Sequence, residues 1–210
     1  MTHPAFKLMI VGRRRAGTTL AEHHHHILNV HGAKVVQFIA QDPANAPKRY
    51  VQNRVLDGSF RQGGAVGDPF ALNRDFVTEL WFNDPADAMN AVQQPFYLEH
   101  LRPDEDRFVD QASVAKLAVK ERAVNAPAKQ TGSIKLFSFF TKPPSADASG
   151  FMQAWRECGE AFSNSAAGKL CLGHVQNEVL HRPGDAAWVD AGAAARRWPG
   201  FRKFPFHPHG

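Results

Sequence analysis

The sequence predicts an α+β fold made of two diverged copies of one small unit, the second copy shortened. Three observations carry this. Apolar runs alternate with capped helical runs in the order β-α-β-β-α-β, short segments of the first half recur in the second, and the composition suits a packed core. Of the 210 residues, 43% are hydrophobic and 21% charged, close to ordinary globular usage.

In the first copy, residues 7–12 are apolar enough for a buried strand, which Arg15-Ala16-Gly17 ends. Thr18 or Thr19 can cap the helix that follows, and Glu22 stands three residues after Thr19, as a capping box requires. The helix is expected to run to about His31, with Gly32 in the left-handed position that terminates it. Residues 49–56 read as a second strand, followed by a long loop through Gly58 and Gly63-Gly64. Phe76 to Phe82 is rich in aromatic and apolar types and reads as a third strand. Asp84-Pro85 opens a second helix to about Gln93, with proline at its permitted early position. Ala112 to Val119 or beyond gives a fourth strand. The order is the split βαβ pattern of ferredoxin-like units.

Phe6-Lys7-Leu8-Met9-Ile10 recurs in type as Ile134-Lys135-Leu136-Phe137-Ser138, an offset of 128 positions. Tyr50-Val51-Gln52-Asn53-Arg54-Val55-Leu56 recurs as His174-Val175-Gln176-Asn177-Glu178-Val179-Leu180, an offset of 124. Two matches in the same order with nearly equal offsets point to duplication. The domains are read as 1–125, a linker at 126–132, and a truncated second copy at 133–210. That copy is expected to hold a strand at 134–140, a helix at 147–162 and a strand at 170–180. Ala191 to Trp198 would be a further helix and Phe201 to Phe206 a vestigial strand.

Composition narrows the function classes. The net charge of +5 comes from short clusters such as Arg13-Arg14-Arg15, with no zinc-finger spacing, RNP-like strand or basic helix, so no nucleic-acid partner is expected. No run of 18 apolar residues exists, so no membrane partner is expected either. The opening residues show no signal-peptide pattern and only Cys158 and Cys171 are present, which makes cytoplasm the expected location. Gly12-Arg13-Arg14-Arg15-Ala16-Gly17 lacks a phosphate-loop ending, and His23-His24-His25-His26 has neither a His-Glu-x-x-His pattern nor a carboxylate at metal-site spacing. The histidine run reads as surface imidazoles, and Asp104-Glu105-Asp106 as a solvated acidic turn.

Four segments together resemble EthD-domain proteins. Leu20 to Gly32, ending in Val30-His31-Gly32, is similar to the family's first-helix signature, with His26 at its midway aromatic-or-His position. Arg49 to Asn53, Leu80-Trp81-Phe82 and Arg102 to Asp110 fit the same family. The resemblance covers residues 6–120 well and 133–182 weakly; the second copy has Ala161-Phe162-Ser163-Asn164 where the first has Val-His-Gly. It implies a dimeric α+β barrel, here a pseudo-dimer of two ferredoxin-like sheets, with a homodimer partner or the C-terminal tail covering open edges. It also implies a cofactor-independent enzyme of lyase, decarboxylase, isomerase or cyclase type acting on a small apolar carbonyl or aromatic compound. One alternative is a haem-binding barrel with His31 or His174 as axial ligand; another is a non-catalytic accessory or ligand-binding protein.

The candidate catalytic residues are His31 and, secondarily, His26. On a 3.6-residue period His31 shares a face with Leu20, Ile27 and, less tightly, His24, and so should face the sheet. It could move protons near neutral pH, or be a core histidine bonded at a helix end. Tyr50, Gln52 and Arg54 alternate on one side of their strand and Val51, Asn53 and Val55 on the other. The valines are expected under the helices, with the Tyr50 set facing the barrel cavity as substrate-binding residues. Asn53, Glu79 and Trp81 are further candidate substrate-binding residues: Asn53 would bond toward the His31 helix, while Glu79 and Trp81 form the cavity pair of the third strand, or Trp81 is simple core.

Overall fold

The computed structural model describes residues 6–55, 74–125, 134–140, 142–143 and 145–180. These divide into two compact units, one running to Val119 and taking in Val179 and Leu180, the other Lys120–Glu178.

The first unit follows the predicted β-α-β-β-α-β order. Strand β1 (Phe6–Arg14) leads to a helix capped by Thr19, whose side chain accepts from the Glu22 amide while Glu22 reaches back to the Thr19 amide. This reciprocal box satisfies two amides that a helix start leaves without partners. The helix has three segments: α1 (Leu20–His25), a π-helical turn (His26–His31) and α2 (Gly32–Gln41). Strands β2 (Arg49–Arg54) and β3 (Phe76–Phe82) follow, then α3 (Pro85–Ala91), capped by Asp84. A second π-turn (Tyr97–Leu101) runs into α4 (Arg102–Phe108), and β4 (Val109–Asn125) closes the order. The strands lie in the order β2-β3-β1-β4. All three pairings are antiparallel, with Leu8 opposite both Leu80 and Ala118. That order with two helical crossovers is the ferredoxin-like arrangement.

Side-chain alternation gives the sheet two distinct faces. Phe6, Leu8, Phe82 and Ala118 pack against Val35, Phe38, Ala88, Ala91 and Leu101 of the helices. A neighbouring cluster joins Ile27 to Phe76, Phe108, Val109 and Val114. The opposite face carries a buried ion pair, Lys7 Nζ to Glu79 at 2.5 Å, with both side chains at most 3% exposed. The Lys7 ammonium also lies 4.8 Å from the Trp81 ring centroid, and the Arg49 guanidinium 4.3 Å from it.

The helix does not stop at Gly32, which has φ −60° and lies within the rod. A side chain there would meet Gln52 Nε2 and the Ile27 carbonyl, each at 2.9 Å. Glycine is needed for this close approach of strand to helix, and no left-handed turn is involved.

In the second unit, α5 (Ala148–Asn164) and β5 (His174–Val179) appear close to the expected helix and strand. Residues 134–140, expected as the counterpart of β1, form no strand. The expected linker at 126–132, the glycine-rich loop, and the segments 191–198 and 201–206 lie outside the described residues. Among the described residues no helix is long and apolar enough to cross a membrane.

Candidate active site

The site begins where the first helix meets α4. His31 ends the π-turn, and Asp104 stands in the first turn of α4. His31 Nδ1 is 3.1 Å from Asp104 Oδ2; His26 Nε2 at 3.2 Å and Lys34 Nζ at 2.9 Å share Oδ1. Phe108 forms their common wall, its ring stacked on His26 and tilted against His31, with centroids 4.9 Å apart in both cases.

Asp104 is 1% exposed. Burial pushes its carboxyl upward, but hydrogen bonds from Lys34 and His31 outweigh that and hold it below the usual carboxylate range. In His31 burial pushes the imidazole down, against the pull of Glu105 and Asp104, and the net shift is downward. The ring is therefore neutral at neutral pH. An ionised Asp104 can only accept, so Nδ1 carries the proton and Nε2 keeps a lone pair.

His31 also lines a cavity of about 110 Å³ between the helices and the sheet of the first unit. Its walls are mostly aliphatic and aromatic, with Tyr50, Thr78, Tyr97, Glu105, Gln111 and Lys116 as the further polar side chains. The Tyr97 hydroxyl donates to Glu105 Oε1 at 2.7 Å, and burial first, then Glu105, pushes that hydroxyl's pKa up. Burial lowers the Lys116 ammonium pKa while the Glu105 charge opposes the shift. Tyr50 accepts from Gln52 Nε2, and burial pushes its hydroxyl up to about 12.

The two expected faces of β2 are reversed. Tyr50 and Gln52 point under the helices, where Gln52 Nε2 donates to the Ile27 carbonyl at 2.5 Å. Arg54, in register with them, is exposed at the strand end. Asn53 does not reach the His31 helix; its amide donates to Glu79 Oε1 at 2.9 Å and to the Val77 carbonyl at 3.0 Å. Asn53, Glu79 and Trp81 thus share the far face, away from the His31 cavity. The small residues Ala88 and Ala91 line the cavity together with Leu80 and Phe82.

Asp104 belongs to a helix, so the solvated turn expected for Asp104-Glu105-Asp106 is overturned. Pro103 followed by acids is the sequence pattern of a first helical turn, a signal that was available in the sequence, although here the preceding π-turn already runs into α4. Lys116 also left a trace, as one cation in the apolar alternation Val114-Lys116-Ala118. The histidine run is not uniformly on the surface: His23 is 1% exposed, and its Nδ1 lies 3.0 Å from the Phe108 carbonyl. His25 is exposed, with Asn29 Nδ2 3.1 Å from its Nδ1.

A metal does not fit this cluster, because the Lys34 ammonium already occupies Asp104; no group able to hold a metal ion occurs among the described residues. Haem does not fit beside His31. The cavity beside His31 is smaller than the roughly 300 Å³ at which drug-sized pockets begin.

Residues 15–112 match the EthD domain family model. A comparison with curated proteins finds no match. Among solved structures, the chain is similar to a dimeric protein of unknown function and ferredoxin-like fold from Bacteroides fragilis NCTC 9343. The identity is 8% and the TM-score 0.42, over 57% of this chain and 99% of that one.

Proposed function

We propose that the chain, whose residues 15–112 match the EthD domain model, is a cofactor-independent acid–base enzyme acting on a compact, largely apolar carbonyl compound. The observation that carries the reading is a histidine, held through Nδ1 by a buried carboxylate, in the wall of an apolar cavity. Asp104 fixes the ring and its tautomer, leaving Nε2 as the base. Nε2 takes a proton from the carbon beside the carbonyl, and the C–H electron pair becomes the enolate. Lys116 donates a hydrogen bond to the developing oxyanion, with Glu105 beside it sustaining its charge. Return of the proton to another position gives isomerisation; attack of the enolate on a second carbonyl gives cyclisation. The cavity size favours substrates no larger than a single ring.

The test uses cyclohexanone and acetone in D2O, with the protein's effect on α-hydrogen exchange followed by NMR. Exchange should accelerate with the parent and fall roughly 10²–10⁴-fold in His31→Ala. No acceleration with either ketone, or equal acceleration by His31→Ala, would remove the general-base role.

A further inference from the structure

The two long helices carry the same lock at positions that differ by one residue. Thr19 caps the first helix and Asp147 caps α5; each side chain accepts from the amide three residues on. Eight residues after each cap, the carbonyl of Ile27 and that of Trp155 accept from a glutamine on a strand, Gln52 Nε2 at 2.5 Å and Gln176 Nε2 at 2.7 Å. Those glutamines occupy the same place in the recurring Val-Gln-Asn run. In each helix the glutamine amide then faces a glycine whose added Cβ would collide with it, Gly32 in one and Gly159 in the other. Caps and carbonyls are both 128 positions apart, but the glycines are 127 apart. One extra residue therefore lies between Ile27 and Gly32. That interval falls within the π-turn His26–His31, whereas α5 is α-helical throughout.

We propose that this π-turn is a one-residue insertion relative to the chain's own second helix, and that it places His31 on Asp104. The physical reason is angular. In an α-helix residues five apart stand roughly 140° apart around the axis, so one carboxylate could not serve both His26 and His31. A π-turn closes on the fifth residue and stacks the two rings on one side, where Asp104 Oδ1 and Oδ2 receive them. The glutamine lock brackets the extra residue, with the Ile27 carbonyl before it and Gly32 after it, so the rest of the helix keeps its seat on β2. By the same offsets, Ala154 and Cys158 of α5 stand in place of His26 and His31; the second helix carries neither imidazole.

The inference concerns geometry and holds whatever reaction the pair performs. Its test is deletion of Asn29, an exposed residue of the turn, in the full chain, with the imidazole of His31 titrated by NMR. The parent and Asp104→Asn supply the two reference titrations. The deletion variant should unfold cooperatively, and its histidine should titrate as in Asp104→Asn. A complementary variant inserts alanine between Arg156 and Glu157 of α5, and should also fold, absorbing the residue as a π-turn. A folded deletion variant whose histidine titrates as in the parent would overturn the proposal. So would loss of folding in all three single deletions of Leu28, Asn29 and Val30, since an insertion is removable without destroying the lock that brackets it.

Discussion

Replacing Asp104 by asparagine keeps the shape of the side chain and removes its charge. The carboxylate receives three groups at 2.9–3.2 Å while 1% exposed, so few water molecules can take its place. Lys34 is nearly a third exposed and can turn to solvent, so its loss weighs little. His31 is more enclosed, and the weakening of one charge-assisted hydrogen bond there costs about 1.5–3 kcal/mol. For a chain of this size that is a melting-temperature drop of about 3–12 °C. The asparagine amide can also donate to Nδ1, which moves the ring proton to Nε2 and abolishes the base, so turnover should fall roughly 10²–10⁴-fold. Asp104 raises the His31 pKa, so the variant's imidazole should titrate at still lower pH than the parent's. Calorimetry, ketone deuterium exchange and NMR titration of the ring measure the three effects. If Asp104→Asn leaves the His31 titration in place and exchange within about twofold of the parent, the carboxylate does not hold the base.

His31→Ala should lower exchange roughly 10²–10⁴-fold, whereas His25→Ala, on the exposed side of the same helix, should be silent in the same assay. Acid should destabilise the fold in two stages, visible as unfolding free energy against pH. His31 and His23 have lowered folded pKa values, so their contribution is complete above about pH 6.5 and is lost as pH falls through those values. Asp104, also lowered, contributes above about pH 4 and loses its share below that; stability constant from pH 7 to 3 would contradict both shifts. Gly32→Ala should cost about 1–3 kcal/mol by crowding Gln52, and adding Gln52→Ala should recover part of it, as a double-mutant cycle by chemical denaturation would show.

Much of this fold is legible because local signals agree. Thr19 with Glu22 marks a helix start, Asp84-Pro85 another, and Phe76 to Phe82 cannot easily be anything but a buried strand. His31 was placed toward the sheet from periodicity, yet its partner was hidden in two ways. A 3.6-residue count puts His26 and His31 on different sides, and only the π-turn reunites them. Asp104 sits 73 positions away in a run of acids that looks solvated until α4 folds against the helix. The faces of β2 failed for another reason: its valines read as core, but Gln52 gains more by saturating the Ile27 carbonyl, and Asn53 by joining Lys7 and Glu79. Polar side chains with fixed partners decided the strand's rotation over apolar ones that only half bury.

His31 and its carboxylate are both mounted on helices, while strands supply the cavity floor through Leu8, Ile10, Thr78 and Leu80. Phe108 secures the helical part: its carbonyl also accepts from the Arg15 amide at 2.9 Å and meets His23, pinning the end of α4 to the start of the first helix. Mutation can therefore reshape the floor, exchanging leucine for valine or methionine, without moving the proton-handling atoms. On the proposed reading, substrate range and chemistry are free to drift separately over generations. A library confined to those four floor positions should yield altered ligand preference with the His31 titration unchanged, whereas changes at Phe108 should disturb both together.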